Sequence, residues 1–282
     1  MSHVELPHGT LYYQDTGAGA PIVFLHGYLM GARLWDPVVH LLEAEFRCLV
    51  PELPFGAHPI PVRADADLTA AGLGRLVADF LDALDLGGVT LVGNDSGAAV
   101  AQVVAARHAE RLSGLVVATG DAFDNFPPRA FRPLIAAART GTLTALLAML
   151  KARPARSLPT AYGWLTHGDL PHDLIDQWLG AYFADRGVRH DLRRLTAALG
   201  DDEFMNRIAA ELASFARPAL LAWAADDKFF PVRHARQLAA ILPDARVELI
   251  PGSRTWVMRD QPEQTARLIA EFARRAAARP AA

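Results

Sequence analysis

Short apolar runs alternate with longer amphipathic segments along most of this chain, and this alternation limits its fold more than any other feature. The runs are rich in β-branched residues and have the length of buried parallel strands. They are Ile22–Leu25, Cys48–Val50, Val89–Val92, Leu115–Ala118, Ala219–Trp223 and Val247–Ile250, with a shorter edge strand at Gly9–Asp15. Apolar residues recur at helical spacing over Leu68–Leu84, Val232–Leu242 and Gln264–Arg275. This pattern predicts an α/β fold with a mostly parallel central sheet and flanking helices.

The alternation stops once, between about Phe123 and Phe215, where the sequence shows no convincing strand. Apolar spacing in this stretch predicts several helices. They are Pro133–Ala138, Thr142–Lys151, Leu174–Ala184 and Arg193–Leu199. A helical insertion between core strands is most simply a cap over the carboxyl edge of the sheet. We therefore predict an α/β core in residues 1–121 and 216–282 and a helical cap in residues 122–215.

Composition excludes several classes of partner. With 282 residues, a formal net charge of −3 and 21% charged residues, the chain has no broad basic surface for nucleic acid. The start of the chain lacks a signal-peptide pattern and no window is apolar enough for a membrane span, so we expect a cytoplasmic protein without a membrane partner. Cys48 is the only cysteine, which rules out an intrachain disulfide. We expect no metal and no cofactor, and whether the protein forms a homodimer is left open.

Two glycines frame a candidate reactive residue in the sequence Gly93-Asn94-Asp95-Ser96-Gly97. A nucleophile elbow is a sharp strand-to-helix turn with glycines two residues before and two after its centre. This register places Asp95 at the reactive position and makes Ser96 a backbone donor of the oxyanion hole that also caps the next helix. The alternative is an ordinary turn, since all of these residue types favour turns.

A second backbone donor is expected after the first parallel strand, which ends in His26-Gly27-Tyr28; the N–H of Tyr28 would complete the oxyanion hole. The order HGY, LPFG at Leu53–Gly56, GNDSG and LLAWAADDKFFP at Leu220–Pro231 resembles the α/β-hydrolase superfamily. Within it, an aspartate at the elbow is similar to the epoxide hydrolase and haloalkane dehalogenase branch. This resemblance implies that Asp95 attacks a carbon atom and forms an ester.

The resemblance also implies a histidine base in the loop after the last core strand, but Thr255 stands at that position. Threonine cannot take a proton from water near neutral pH, so the triad is atypical. Asp227 aligns with the triad acid, with Asp226 as the close alternative. Asp121 and Asp124 follow the strand after the elbow helix, and either is a relocated acid or simply a turn residue.

Five further residues are predicted to contact substrate. They are His26, Tyr162, Tyr182, Thr255 and Trp256. For His26 the simplest role is structural hydrogen bonding, with proton transfer as the alternative. Epoxide hydrolases that resemble this chain use cap tyrosines to protonate the epoxide oxygen, a role that Tyr162 and Tyr182 would take here; cap packing is the alternative. Dehalogenation is disfavoured, because Ser96 stands where dehalogenases often carry a tryptophan that binds halide.

Three functions remain open from the sequence. The first is an epoxide-hydrolase-like opening of a C–O electrophile in a small, largely apolar organic substrate, with Asp95 as nucleophile. The second is a cyclase, isomerase or lyase that uses Asp95 as a general acid or base, because Thr255 leaves hydrolysis without its usual base. The third is a ligand-binding protein that catalyses no reaction.

Overall fold

An eight-stranded sheet forms the centre of the computed structural model, which describes residues 1–278. The strands are β1 (Ser2–Leu6), β2 (Gly9–Thr16), β3 (Pro21–Leu25), β4 (Arg47–Pro51), β5 (Val89–Asp95), β6 (Leu112–Gly120), β7 (Ala219–Ala224) and β8 (Ala245–Ile250). Their order across the sheet is β1-β2-β4-β3-β5-β6-β7-β8. β1 and β2 run antiparallel to their neighbours, and the remaining pairs are parallel. The predicted α/β fold class is confirmed.

Twelve α-helices accompany the sheet in the described part of the chain. They are α1 (Asp36–Leu42), α2 (Ala70–Ala83), α3 (Ser96–Arg107), α4 (Arg132–Thr140), α5 (Leu143–Ala148), α6 (Arg153–Arg156), α7 (His172–Ala184), α8 (Arg186–Ala198), α9 (Asp202–Glu211), α10 (Val232–Ile241), α11 (Val257–Asp260) and α12 (Pro262–Ala277). No helix within residues 1–278 is both long and apolar enough to cross a membrane.

The central strands are covered on both faces, which explains why they are apolar throughout. Every residue of β5 and of β6 is buried. The elbow helix α3 packs on both of these strands and on α2. Parallel strands that are buried on both faces have no solvent side and therefore carry continuous apolar runs. These two strands end side by side, so their carboxyl ends bring Asp95 and the residue after β6 together.

The helices α4 to α8 lie between β6 and α9 and form the inserted unit. Helix α8 begins at Arg186, seven residues before the predicted start, because the Asp185 side chain caps it by accepting hydrogen bonds from the N–H groups of Gly187 (2.6 Å) and Val188 (3.2 Å). Helix α9 instead lies against α3, where Arg107 makes two 2.8 Å hydrogen bonds to Glu211. The domain limits at 122–215 and 216–282 remain predictions, and residues 279–282 of the second core segment lie outside the described residues.

Candidate functional site

The elbow lies where β5 meets α3, and its backbone is strained. Asp95 has φ 55° and ψ −128°, a conformation that residues with a β-carbon rarely adopt. The turn also brings α3 very close to β3, since a β-carbon at Gly97 would lie 2.6 Å from the carbonyl oxygens of Leu25 and His26. Position 97 therefore requires a glycine for steric reasons. The strained residue, Asp95, is the one that the sequence predicts at the reactive position.

One oxygen of the Asp95 carboxyl group is held in the predicted oxyanion hole. Asp95 Oδ1 accepts hydrogen bonds from the backbone N–H of Ser96 at 2.7 Å and of Tyr28 at 3.3 Å, and from the Ser96 hydroxyl at 3.1 Å. Gly27 makes room for this carboxyl group, because a β-carbon there would collide with it. Asp95 Oδ2 takes part in no hydrogen bond within residues 1–278. One carboxyl oxygen is thus fixed by three donors and the other by none within the described residues.

The environment of Asp95 acts on its charge in two opposite directions. Burial raises the pKa of the Asp95 carboxyl group, because a charged group loses its hydration inside the protein. The hydrogen bonds from Ser96 and Tyr28 lower the pKa again but do not cancel the effect of burial. The site therefore holds a carboxyl group whose proton is bound more tightly than in water.

Asp227 and Thr255, which the sequence predicts at the positions of a triad acid and base, lie in direct contact. The Thr255 hydroxyl donates to Asp227 Oδ2 at 2.7 Å, and Asp227 Oδ1 accepts from the N–H groups of Phe229 and Phe230 at 2.7 Å each. Burial raises the pKa of Asp227 to about 6, while these hydrogen bonds oppose the rise. Asp226, the alternative acid, makes other contacts: its Oδ2 accepts from the Gly252 N–H and lies 3.4 Å from Nε2 of His167.

None of the ten histidines of the chain lies in the wall of the cavity that contains Asp95. The described wall of this cavity therefore offers no imidazole group to a substrate. Within residues 1–278, no group of three or more His, Cys, Asp or Glu residues is arranged to hold a metal ion.

Asn94 is a site residue that the sequence analysis missed. Its amide nitrogen donates to the carbonyl oxygens of Ala118, Thr119 and Thr255, the last two at 3.0 and 2.7 Å. The side chain is fully buried. It therefore joins the elbow to the end of β6 and to the loop after β8. The only signal in the sequence is its place beside the reactive residue, since these contacts join segments far apart in the chain.

A cavity of about 300 Å³ opens over Asp95 and is walled mainly by the cap. Asp95, Ser96 and Asp121 lie at its base, and its other polar lining residues are Tyr28, Thr160, Tyr162 and Thr196. The rest is apolar and includes Phe131, Leu134, Ile135, Leu147, Leu150 and Leu165. Leu146, Met149 and Leu158 line it while remaining 39–56% exposed, so they mark its mouth.

Of the five residues predicted to contact substrate, Tyr162 alone lines this cavity. The Tyr162 hydroxyl donates to the Leu29 carbonyl oxygen at 3.0 Å, so its proton is already engaged. The predicted contact from Tyr182 is not supported, because its ring packs in a separate apolar cluster and its hydroxyl pairs with Thr144 at 2.9 Å.

His26, Thr255 and Trp256 also lie behind the wall rather than in it. The His26 ring is fully buried: Nδ1 bonds to the Gly27 carbonyl oxygen and Nε2 accepts from the Leu53 N–H, both at 3.0 Å. Burial lowers the pKa of this imidazole to about 4. Trp256 is fully buried as well and packs against Tyr162 with ring centroids 5.8 Å apart. These three residues support the site, and the predicted substrate contacts are not supported by their placement.

A carboxylate at a strand–helix elbow, fixed by two backbone donors under a helical cap, defines an enzyme site of the hydrolase type. The chain belongs to the α/β-hydrolase fold family, whose model matches residues 20–262.

Similar proteins span nearly the full chain at low identity. Haloalkane dehalogenase 2 of Mycobacterium tuberculosis is 24% identical over 278 residues, covering 93% of this chain and 91% of that protein. A 2-hydroxy-6-oxononadienedioate/2-hydroxy-6-oxononatrienedioate hydrolase of Paraburkholderia xenovorans is 25% identical over 272 residues, covering 93% and 90%.

Solved structures agree on the fold. A putative ancestral haloalkane dehalogenase superposes with a TM-score of 0.80 at 21% identity, covering 99% of this chain and 100% of that one. A thermophilic esterase from Thermogutta terrifontis gives a TM-score of 0.75 at 22% identity, covering 98% and 99%. Since these neighbours differ in activity, the reaction must be argued from the site itself.

Proposed function

We propose that this protein opens small, largely apolar epoxides by attack of Asp95 Oδ2 on a ring carbon, which gives an ester on Asp95 that water then hydrolyses. The observation that carries this proposal is the difference in hydrogen bonding between the two carboxyl oxygens of Asp95. Oδ1 accepts from the N–H groups of Ser96 and Tyr28, whereas Oδ2 is left unbonded. In the ester, Oδ1 becomes the carbonyl oxygen, and the same donors would stabilise the oxyanion that forms when water attacks.

The nucleophile favours an epoxide over an ordinary ester. A carboxylate can displace an alkoxide from the strained ring of an epoxide, since ring opening releases strain and the carboxylate needs no activating base. Its attack on an ester would give an anhydride and expel an alkoxide, which is unfavourable. The apolar wall of the cavity suits a substrate with few polar groups.

The cavity wall argues against haloalkanes. A departing halide needs N–H donors in an apolar site. No tryptophan lines the cavity within residues 1–278, and the indole N–H groups of Trp35, Trp223 and Trp256 are already bonded to other groups.

A second candidate is a non-hydrolytic reaction in which Asp95 acts as a general acid or base. Two features support it: burial raises the pKa of Asp95, and Thr255, at the predicted position of the base, bonds to Asp227. This candidate differs from the first in one respect, which is that no ester forms on Asp95.

The decisive experiment exposes the purified protein to terminal and aryl epoxides, such as 1,2-epoxyhexane and styrene oxide, and follows the intact mass. An adduct of one epoxide on Asp95 is expected, located by peptide mapping, together with diol. The Asp95→Asn variant is the matched control and should give neither product. In a single turnover in ¹⁸O-labelled water, the label should enter the Asp95 carboxyl group.

Two results would overturn the proposal. One is the absence of both adduct and diol across an epoxide panel with folded protein. The other is turnover that depends on Asp95 while its carboxyl group stays unlabelled, which would select the second candidate.

A further inference from the structure

We propose that Asp121 is the acid–base partner of Asp95: it protonates the oxygen that leaves the epoxide carbon and then takes a proton from the water that hydrolyses the ester. This inference rests on the proposed function and supplies the proton transfers for which that function has no histidine. It assigns Asp121 a direct contact with the reacting atoms, rather than the orienting role of a relocated triad acid.

The end of β6 places Asp121 beside the nucleophile. Asp95 pairs with Gly120 across the β5–β6 ladder, and the Asp121 N–H donates to the Asp95 carbonyl oxygen at 3.3 Å. This approach requires a glycine, because a β-carbon at Gly120 would lie 2.5 Å from that carbonyl oxygen. The Gln102 amide fixes the main chain by donating to the Asp121 carbonyl oxygen at 2.7 Å. Both carboxyl groups line the same cavity.

The Asp121 side chain is buried and incompletely bonded. The residue is 1% exposed, and its Oδ1 has no hydrogen-bond partner within residues 1–278. Buried polar atoms are nearly always paired, so an unpaired carboxyl oxygen in a cavity wall indicates a group that bonds to a ligand. Asp121 Oδ1 is therefore free to accept a hydrogen bond from a substrate, or to donate one when protonated. The Tyr162 hydroxyl, in contrast, already donates to the Leu29 carbonyl oxygen.

The two carboxyl groups hold their protons with different strengths. Burial and the neighbouring Asp95 charge raise the pKa of Asp121 well above its ordinary value, and the Ser96 hydroxyl opposes this rise. Asp95 is the charged group that acts on Asp121, and the described cavity wall contains no Lys, Arg or His. The backbone N–H groups of Ser96 and Tyr28 donate to Asp95 and favour its ionised form. With one proton between them, Asp95 is therefore the carboxylate and Asp121 is the acid.

The proton balance closes over one turnover. In ring opening, the bond from Asp95 Oδ2 to carbon forms, the C–O bond of the epoxide breaks, and the proton of Asp121 goes to the departing oxygen. In hydrolysis, the oxygen of a water molecule adds to Cγ of Asp95 while the Asp121 carboxylate takes a proton from that water. The intermediate then expels the second oxygen of the diol, which receives that proton. A final proton transfer from Asp95 to Asp121 restores the starting state, and the net reaction is epoxide plus water giving diol.

The test compares two reagents whose leaving groups differ in their need for a proton. The Asp121→Asn variant should be alkylated by 1,2-epoxyhexane about 100-fold more slowly than the wild type, or slower still. Phenacyl bromide expels bromide without a proton, and unlike a simple haloalkane it needs no N–H donors for the halide, because its carbonyl group activates the carbon. It should alkylate Asp95 in variant and wild type about equally. This second reaction also reports that the variant retains a folded site. Hydrolysis of the resulting ester should also be about 100-fold slower in the variant than in the wild type.

Asp124→Asn is the matched control, because Asp124 lies three residues further on and is exposed. It should match the wild type with both reagents. If Asp121→Asn proves unstable, the wild type itself provides the test. Its rate of alkylation by epoxide should fall at high pH as Asp121 loses its proton, while the rate with phenacyl bromide should not.

The outcomes separate the two proposals. Two results would overturn the role of Asp121. One is an Asp121→Asn variant that epoxides alkylate at the wild-type rate. The other is a wild-type rate of alkylation by epoxides that does not fall at high pH. Wild-type protein that forms no Asp95 adduct with any epoxide, yet reacts with phenacyl bromide, contradicts the proposed function instead.

Discussion

The Thr255 hydroxyl donates a 2.7 Å hydrogen bond to Asp227 Oδ2, so the acid position of the expected triad is joined to a residue that cannot act as a base near neutral pH. Asp227 Oδ1 is also occupied, by the N–H groups of Phe229 and Phe230. Every hydrogen bond of this carboxyl group is therefore internal to the two loops that it joins. We infer that Asp227 stabilises this edge of the sheet rather than taking part in the reaction.

Asp227→Asn should consequently retain most of the Asp95 alkylation activity. The amide oxygen can accept from the two backbone N–H groups, and the amide nitrogen can donate to the Thr255 hydroxyl. A wild-type rate of adduct formation is expected by intact-mass kinetics. A loss of activity as large as the one caused by Asp95→Asn would show that Asp227 acts in catalysis.

The same variant should change how stability depends on pH. Burial raises the pKa of Asp227 to about 6, so the folded protein holds this proton more tightly than the unfolded chain does. The stabilisation is present below the ordinary pKa of an aspartate and is lost as the pH rises to about 6. The Tm of Asp227→Asn minus that of the wild type should therefore increase from pH 4 to pH 7. A constant difference would contradict the raised pKa.

Thr255→His should speed up hydrolysis of the Asp95 ester. A histidine at this position would orient against Asp227 and act as a second base beside Asp121, for a gain of about 100-fold in the rate of ester breakdown. Because Thr255 is fully buried, the larger side chain should lower the free energy of unfolding by about 1–3 kcal/mol. The decay of the phenacyl ester measures the effect. Thr255→Asn is the control, since its amide cannot take a proton, and equal decay in both variants would refute the role of the histidine.

Asn94→Ala should lower the free energy of unfolding by about 2 kcal/mol, because three backbone carbonyl groups lose a shared buried donor. Asn125→Ala is the comparison: this amide makes one hydrogen bond, at 3.0 Å to the Phe229 carbonyl oxygen, and its loss should cost about 1 kcal/mol. Urea denaturation measures both. Equal losses in the two variants would contradict the joining role of Asn94.

Longer 1,2-epoxyalkanes should react better until the cavity of about 300 Å³ is filled. Each buried methylene is worth about 0.8 kcal/mol, which corresponds to roughly fourfold in kcat/KM. Ile135→Phe narrows the cavity and should end this increase at a shorter chain, whereas Ile241→Phe on α10, outside the cavity wall, should not. A rate that is independent of chain length in the wild type would mean that these apolar residues do not receive the substrate.

The sequence predicts the sheet well because buried strands depend on a local pattern. Continuous apolar runs identify the buried strands, and the spacing of Gly93 and Gly97 is enough to select Asp95. Strand β1 is missed, since its five residues Ser-His-Val-Glu-Leu are mostly polar and exposed. Its pairing with β2, from Ser2 opposite Tyr13 to Leu6 opposite Gly9, makes it a strand, and such pairing cannot be derived from so short a pattern.

The less predictable part of the site depends on contacts between distant segments. Tyr162 and Tyr182 look equivalent in the sequence, but one lines the cavity and the other packs behind its wall, in a cluster with Leu29 and Leu147. Asp121 and Asp124 both follow β6, yet the first is buried beside Asp95 and the second is exposed. Helix docking and the exact end of a strand decide these differences, and neither is encoded in a motif.

The placement of Ser96 one residue after Asp95, the proposed nucleophile, has a practical consequence for detecting this protein in cells. Fluorophosphonate reagents label hydrolases through a serine that a histidine activates, but the Ser96 hydroxyl bonds to Asp95 and no histidine lines the described cavity wall. Surveys of serine hydrolases by such labelling should pass over this protein although it has their fold. Reagents that alkylate carboxylates are the suitable probes for it.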